Sequence, residues 1–134
     1  MLDRANKLKN ERNASNVSFV ESQITDINLP DAVADCVISN CVINLVPETH
    51  KPKVFTEIFR LLKPGGRVAV SDILAKGELP AHIKSDMALY VGCIAGASQV
   101  AEYEEYLAKA GFAGMTGVDN PSRFAALTAF LQTS

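Results

Sequence analysis

The chain has 134 residues, 48% of them hydrophobic and 21% charged, with a formal net charge of −2. That length and composition describe a single soluble globular domain, and a near-neutral balance without Lys/Arg clusters excludes a nucleic-acid footprint, which needs a concentrated basic face. The polar, charged N-terminal stretch carries no secretory signal, no apolar run approaches the ~18 residues of a membrane span, and the expected setting is the cytoplasm.

The first element expected is an amphipathic helix over residues 1–14, with Met1, Leu2, Ala5 and Leu8 along one side and no Ser, Thr, Asp or Asn in place to cap its first N–H groups. A short strand is expected at Val17–Val20, followed by a loop closed by Leu29-Pro30-Asp31. Residues 34–39, Ala-Asp-Cys-Val-Ile-Ser, read as a strand buried on both faces of a parallel sheet and ending at Asn40-Cys41. A helix starts near Thr49–Lys53, with Pro52 tolerated in its first turn. Val54, Ile58, Leu61 and Leu62 form its apolar stripe, widened by Phe55 and Phe59. Lys63-Pro64-Gly65-Gly66 stops it, and Arg67–Ile73 is the next strand.

Ile83, Met87, Tyr90 and Ile94 then have helical spacing, as do Val100, Tyr103, Leu107 and Ala110, the latter helix capped by Ser98 and ended by Gly111. Met115–Asp119 and Phe124–Leu131 read as two closing strands around Asn120-Pro121-Ser122. The alternation of helix and strand predicts an α/β fold of parallel strands joined by crossovers, closed by an antiparallel hairpin. No repeat, linker or low-complexity segment divides the chain.

In open α/β sheets, ligands bind at the carboxyl ends of strands, where Gln23-Ile24-Thr25 and Asn40-Cys41-Val42 are expected to lie. The three cysteines, 36, 41 and 93, fit neither a disulfide framework nor a zinc pattern of paired Cys-x-x-Cys, and are expected as free thiols. Taken alone, each is most simply a small buried hydrophobe.

Three segments carry a resemblance: Asp35 to Val46, Lys63-Pro64-Gly65-Gly66-Arg67, and Tyr90-Val91-Gly92-Cys93. Together they resemble the arsenite methyltransferases, S-adenosylmethionine (AdoMet) enzymes that hold As(III) on cysteine thiolates. The resemblance implies a Rossmann-like methyltransferase sheet, here partial: the first strands, the glycine-rich loop and the acidic strand end that normally hold AdoMet have no counterpart. It implies AdoMet as cofactor in an incomplete site, with Gln23 and Ile24 flanking the adenine and Asn40 and Cys41 beside the methionine part. It also makes Cys41 and Cys93 the pair that retains arsenic, thiolates being soft ligands for a thiophilic centre. The implied substrate is a small arsenical, methylated or aromatic rather than inorganic, since the family's further N-terminal cysteines are not matched.

Other polar residues have plainer expectations. Cys36, mid-strand, reads as packing. His50 and His82 read as capping or solvated groups, Asp72 as a pocket-lining residue or a turn cap, and Asp86 as surface or pocket-proximal. Glu105 and Lys109 form a helix-face pair. Against the enzyme stands a remnant that binds a partner or itself; an arsenical-binding thiol protein without transfer chemistry is a third possibility. The missing strands would lie between Val17–Val20 and Asp35–Ser39, so the open edge predicts a homodimer, formed by edge pairing or by exchange of the first helix and strand.

Overall fold

The computed structural model describes residues 1–88, 94–116 and 124–133, the backbone alone from residue 115 onward. Its elements are α1 (Leu2–Glu11), β1 (Ala34–Asn40), α2 (Lys51–Leu61), β2 (Leu62–Ala75), α3 (Ala81–Lys84), α4 (Val100–Ala110), β3 (Phe112–Thr116) and β4 (Phe124–Thr133). Two 3-10 turns, Ile43–Leu45 and Glu48–His50, join β1 to α2. The sheet order is β1-β2-β4-β3, with β1 parallel to β2 and the closing hairpin antiparallel. This is the expected α/β class, with its β–α–β crossover through α2. No helix among the described residues is long and apolar enough to cross a membrane.

The period-2 geometry of β2 creates the core. Val68, Val70, Asp72 and Leu74 alternate on one face and are all buried. Against them lie Val54, Phe55 and Ile58 of α2 and Tyr103 and Leu107 of α4. Phe55 meets Tyr103 edge-on at 4.8 Å, and Phe59 meets Phe112 likewise at 5.2 Å. Pro52 sits in the first turn of α2, as its missing N–H requires. Gly111 ends α4 at φ 104°, in the positive-φ region where only glycine is unstrained.

Several expectations are corrected. Val17–Val20 forms no strand: none of the described strands pairs with it, and Phe19 and Val20 are exposed. β1 is not buried on both faces. It is an edge strand of the described sheet and the helices cover only the side of Val37, so Ile38 is 79% exposed and Cys36 is an exposed thiol rather than packing. α1 forms without a capping side chain, as expected, but buries none of its residues.

The helix expected through Ile83 and Met87 is interrupted. α3 ends at Lys84, and the Asp86 carboxylate accepts from the Ala88 N–H at 2.8 Å, starting a new helical turn. Tyr90 and Cys93 lie outside the described residues. Ser98 does not cap α4; Gln99 takes the cap position, and its N–H donates to Glu102 Oε2 at 2.8 Å. The Ser98 hydroxyl is instead taken by Lys51 at 2.8 Å. The first closing strand begins at Phe112, three positions before Met115, because Gly111 turns the chain directly into it. Residues 117–119 of that expected strand, and the turn at 120–122, lie outside the described residues.

Candidate active site

The site is built along one edge of β2. Backbone groups of alternate strand residues face the same neighbour, and on the β1 side three different partners take them in turn. Ser71 O accepts from Cys41 N at 2.8 Å, where β1 ends. Ile73 O accepts from the Asn44 side-chain amide at 2.6 Å. Ala75 N then donates to Ser98 O at 2.9 Å, beside the parallel bridge of Ala75 with Gln99. The carboxyl end of β1 and the segment 94–99 therefore dock end to end on one strand.

Cys41 is exposed and has φ 51°, a left-handed conformation that costs a non-glycine residue about 1–2 kcal/mol. Asn40 is exposed beside it. Lys51, at the start of α2, ties the same region together: its ammonium donates to Gly96 O and to Ser98 Oγ, the latter at 2.8 Å, although the residue is only 2% exposed. Burial pushes the Lys51 pKa down, opposed by Glu48, Asp72 and Glu102. A cleft of about 220 Å³ opens beside it, lined by Val46, Glu48, Lys51, Leu79, Gly96 and Glu102 among others.

Asp72 does not line that cleft. It points from β2 into the helix-covered core, 2% exposed, and neither carboxylate oxygen forms a hydrogen bond with the described residues. Burial pushes its pKa up to about 6, against the opposing pull of Lys51 and of the nearby N–H groups of Ile73, Ile43 and Asn44. Burial, with a smaller contribution from Asp72, likewise drives up the pKa of the enclosed Tyr103 hydroxyl.

Gln23 and Ile24 occupy a tight turn in which Asp26 N donates to Gln23 O at 3.0 Å. Gln23 is exposed; Ile24 is half-buried against the core. The chain just beyond is pinned to α2. Glu57 accepts from Ile27 N at 2.6 Å, while Arg60 donates to Ile27 O at 3.0 Å and to Leu29 O at 2.9 Å. Hydrogen bonding to Arg60 holds the Glu57 pKa below the usual carboxylate range. Asn40, Cys41 and the stretch following Cys93 are thus assembled on one strand, whereas Gln23 and Ile24 sit on a separately anchored loop. Neither Asn44 nor Lys51 stands out in the sequence as a site residue. Their signals are slight: a lone amide between Ile43 and Leu45, and a lysine heading an apolar helix.

The profile described as "Methyltransferase domain" matches residues 1–111. The chain belongs to the methyltransferase domain family. Among curated relatives of this methyltransferase chain, the arsenite methyltransferase of Halobacterium salinarum is 39% identical over 112 residues, 84% of this chain and 28% of the relative. That of Mus musculus is 42% identical over 87 residues, 63% of this chain and 23% of the relative. Among solved structures, an arsenic(III) S-adenosylmethionine methyltransferase from Chlamydomonas reinhardtii superposes with a TM-score of 0.70 at 28% identity, covering 90% of this chain and 45% of that one. The methyltransferase chain thus spans less than a third of the length of these curated relatives.

Proposed function

We propose that the chain works as an AdoMet-dependent methyltransferase of the arsenite type, with a small trivalent arsenical as its methyl acceptor. The observation that carries this reading is the match with arsenite methyltransferases over most of the chain, joined to the exposed Cys41 thiol held at the carboxyl end of β1. Cys41 and Cys93 are the thiolates assigned to hold the arsenical. Two soft sulfur donors grip a thiophilic centre and leave its remaining face open. The reducing cytoplasm is where such thiols stay free.

For the cofactor, Gln23, Ile24, Asn40 and Cys41 are the assigned contacts. Their environments fit it: Ile24 offers an apolar surface for a flat base, and Gln23 and Asn40 are exposed polar groups at loop and strand ends. AdoMet, when bound, supplies an electrophilic methyl on its sulfonium. The chain's own contribution is to orient Cys41 through its bond to Ser71, to hold the 94–99 segment through Lys51, and to seat the Gln23–Asp26 turn above α2.

One equivalent of phenylarsine oxide is expected to bind, and Cys41→Ser or Cys93→Ser to weaken binding far more than Cys36→Ser. Calorimetry is expected to give micromolar AdoMet or S-adenosylhomocysteine binding. Equal effects from all three cysteine variants would remove the thiol assignment, and no heat at millimolar cofactor would favour a non-catalytic binding module.

A homodimer is the proposed assembly, supported by the unpaired outer edge of β1 in the described sheet and by the exposed Ile38 beside it. Sedimentation at low micromolar concentration tests it; a sharp monomer would overturn it.

A further inference from the structure

We propose that Asn44 is a positioning residue for the Cys41 thiol: its side-chain amide stands in for the backbone donor that a longer β1 would offer Ile73, letting the chain leave the sheet at Cys41 in one fixed turn. The functional consequence rests on the reading of Cys41 as a thiolate ligand. The geometry does not.

A parallel ladder continues by donating from every second residue of one strand to every second carbonyl of the next. After Cys41 N has bonded Ser71 O, the next carbonyl of β2 on that side is Ile73 O. A strand that stopped there would leave this carbonyl unpaired. Continuing β1 would satisfy it, but would carry residues 42 and 43 straight along the sheet. Instead the chain turns at Cys41, φ 51°, into the 3-10 turn Ile43–Leu45, and the Asn44 amide reaches back to Ile73 O at 2.6 Å.

Asn44 has no exposed surface, so its amide is withdrawn from water and held for that bond. Leu45 N to Val42 O at 3.1 Å and Val46 N to Ile43 O at 3.0 Å close the turn on itself. A left-handed residue without glycine's freedom persists only where its surroundings over-determine it. Here the determinants are the Ser71 bond on one side of Cys41 and the Asn44 bond on the other. A side chain that merely filled the core would have no reason to carry an amide here, since burying one without a partner is unfavourable.

The test uses the full chain with Asn44→Leu, which keeps the bulk and removes the amide. Amide hydrogen exchange in residues 41–46 is expected to speed up by about tenfold or more, while the β2 ladder at Val68–Val70 keeps its protection, the signature of a local opening. Phenylarsine oxide binding is expected to weaken by about tenfold, because two-point capture depends on a pre-set geometry. Unchanged exchange in 41–46, or equal acceleration in 41–46 and β2, would overturn the proposal, the second because it marks Asn44 as a general core residue.

Should Asn44→Leu fail to fold, Asn44→Ser is read by the same two criteria. If Cys41→Ser leaves arsenical binding intact, the ligand assignment fails, and the exchange measurement still decides the role of Asn44.

Discussion

Asp72 gives the sharpest test of the electrostatics beneath the site. Its carboxyl is 2% exposed, and its pKa is pushed from 3.8 up to about 6, chiefly by burial. At about 1.4 kcal/mol per pH unit, a rise of roughly two units bounds the penalty on the charged form at about 3 kcal/mol. Water penetration and the field of Lys51 reduce this, so between about 1 and 3 kcal/mol is expected. The sign follows from linkage. A carboxyl whose folded-state pKa is raised is held protonated more strongly by the folded protein than by the unfolded chain, so its contribution is most favourable below the unfolded value. That contribution is lost as pH rises from about 4 through about 6.

Asp72→Asn removes the titration while keeping the shape. Urea unfolding of both proteins at pH values from 4 to 8 is the assay, with m compared to confirm a common two-state transition. Other titrating groups contribute equally to both and cancel in the difference. The variant's stability relative to wild type is expected to rise by about 1–3 kcal/mol between pH 4 and pH 7 and then to level off. A difference that stays constant across that range would refute the reasoning. It would mean that the carboxyl is hydrated or paired in solution in a way that restores an ordinary pKa.

Glu57→Gln has the opposite sign. The Glu57 carboxylate pairs with Arg60 and accepts from Ile27 N, and its pKa is held low, so the variant should lose about 1–3 kcal/mol at pH 7, with the gap closing as pH falls below the usual carboxylate range. Chemical denaturation at pH 7 and at pH 3 checks it. Gly111→Ala would force a Cβ to 2.9 Å from two ring atoms of Phe59 at φ 104°, and a melting temperature lower by several degrees is expected, from at least about 1 kcal/mol of strain. Ile38→Lys should change monomer stability by less than about 0.5 kcal/mol, because the side chain is 79% exposed, yet suppress self-association in sedimentation.

Local chemistry in the chain was enough for the pieces that rest on short-range rules. The apolar stripe of Val54, Ile58 and Leu61, the proline in the first turn of α2 and the glycine after Ala110 each depend on neighbours a few residues away, and each is where the sequence predicts it. The helix end is displaced: α2 closes at Leu61, and Leu62 and Lys63-Pro64-Gly65-Gly66, expected as the last stripe residue and the stop, already belong to β2, which pairs Leu62 with Ala34. The end of β1 at Asn40-Cys41 was legible for the same reason, as the polar close of an apolar run; the exposure of the Cys41 thiol was not, since a cysteine taken alone reads as a small buried hydrophobe.

What tertiary structure alone decided is which backbone groups find partners. Val17–Val20 has strand composition but no strand to pair with, and Cys36 and Ile38 have core composition but occupy an uncovered edge. Ser98 has the composition of a cap, but a buried ammonium forty-seven residues away in sequence claims its hydroxyl. Asn44 bonds a carbonyl twenty-nine residues away. No local pattern encodes such a pairing, because it depends on where β2 comes to lie. The hydrogen bonds that shape the candidate site are therefore long-range ones, set only when α2 closes onto the sheet.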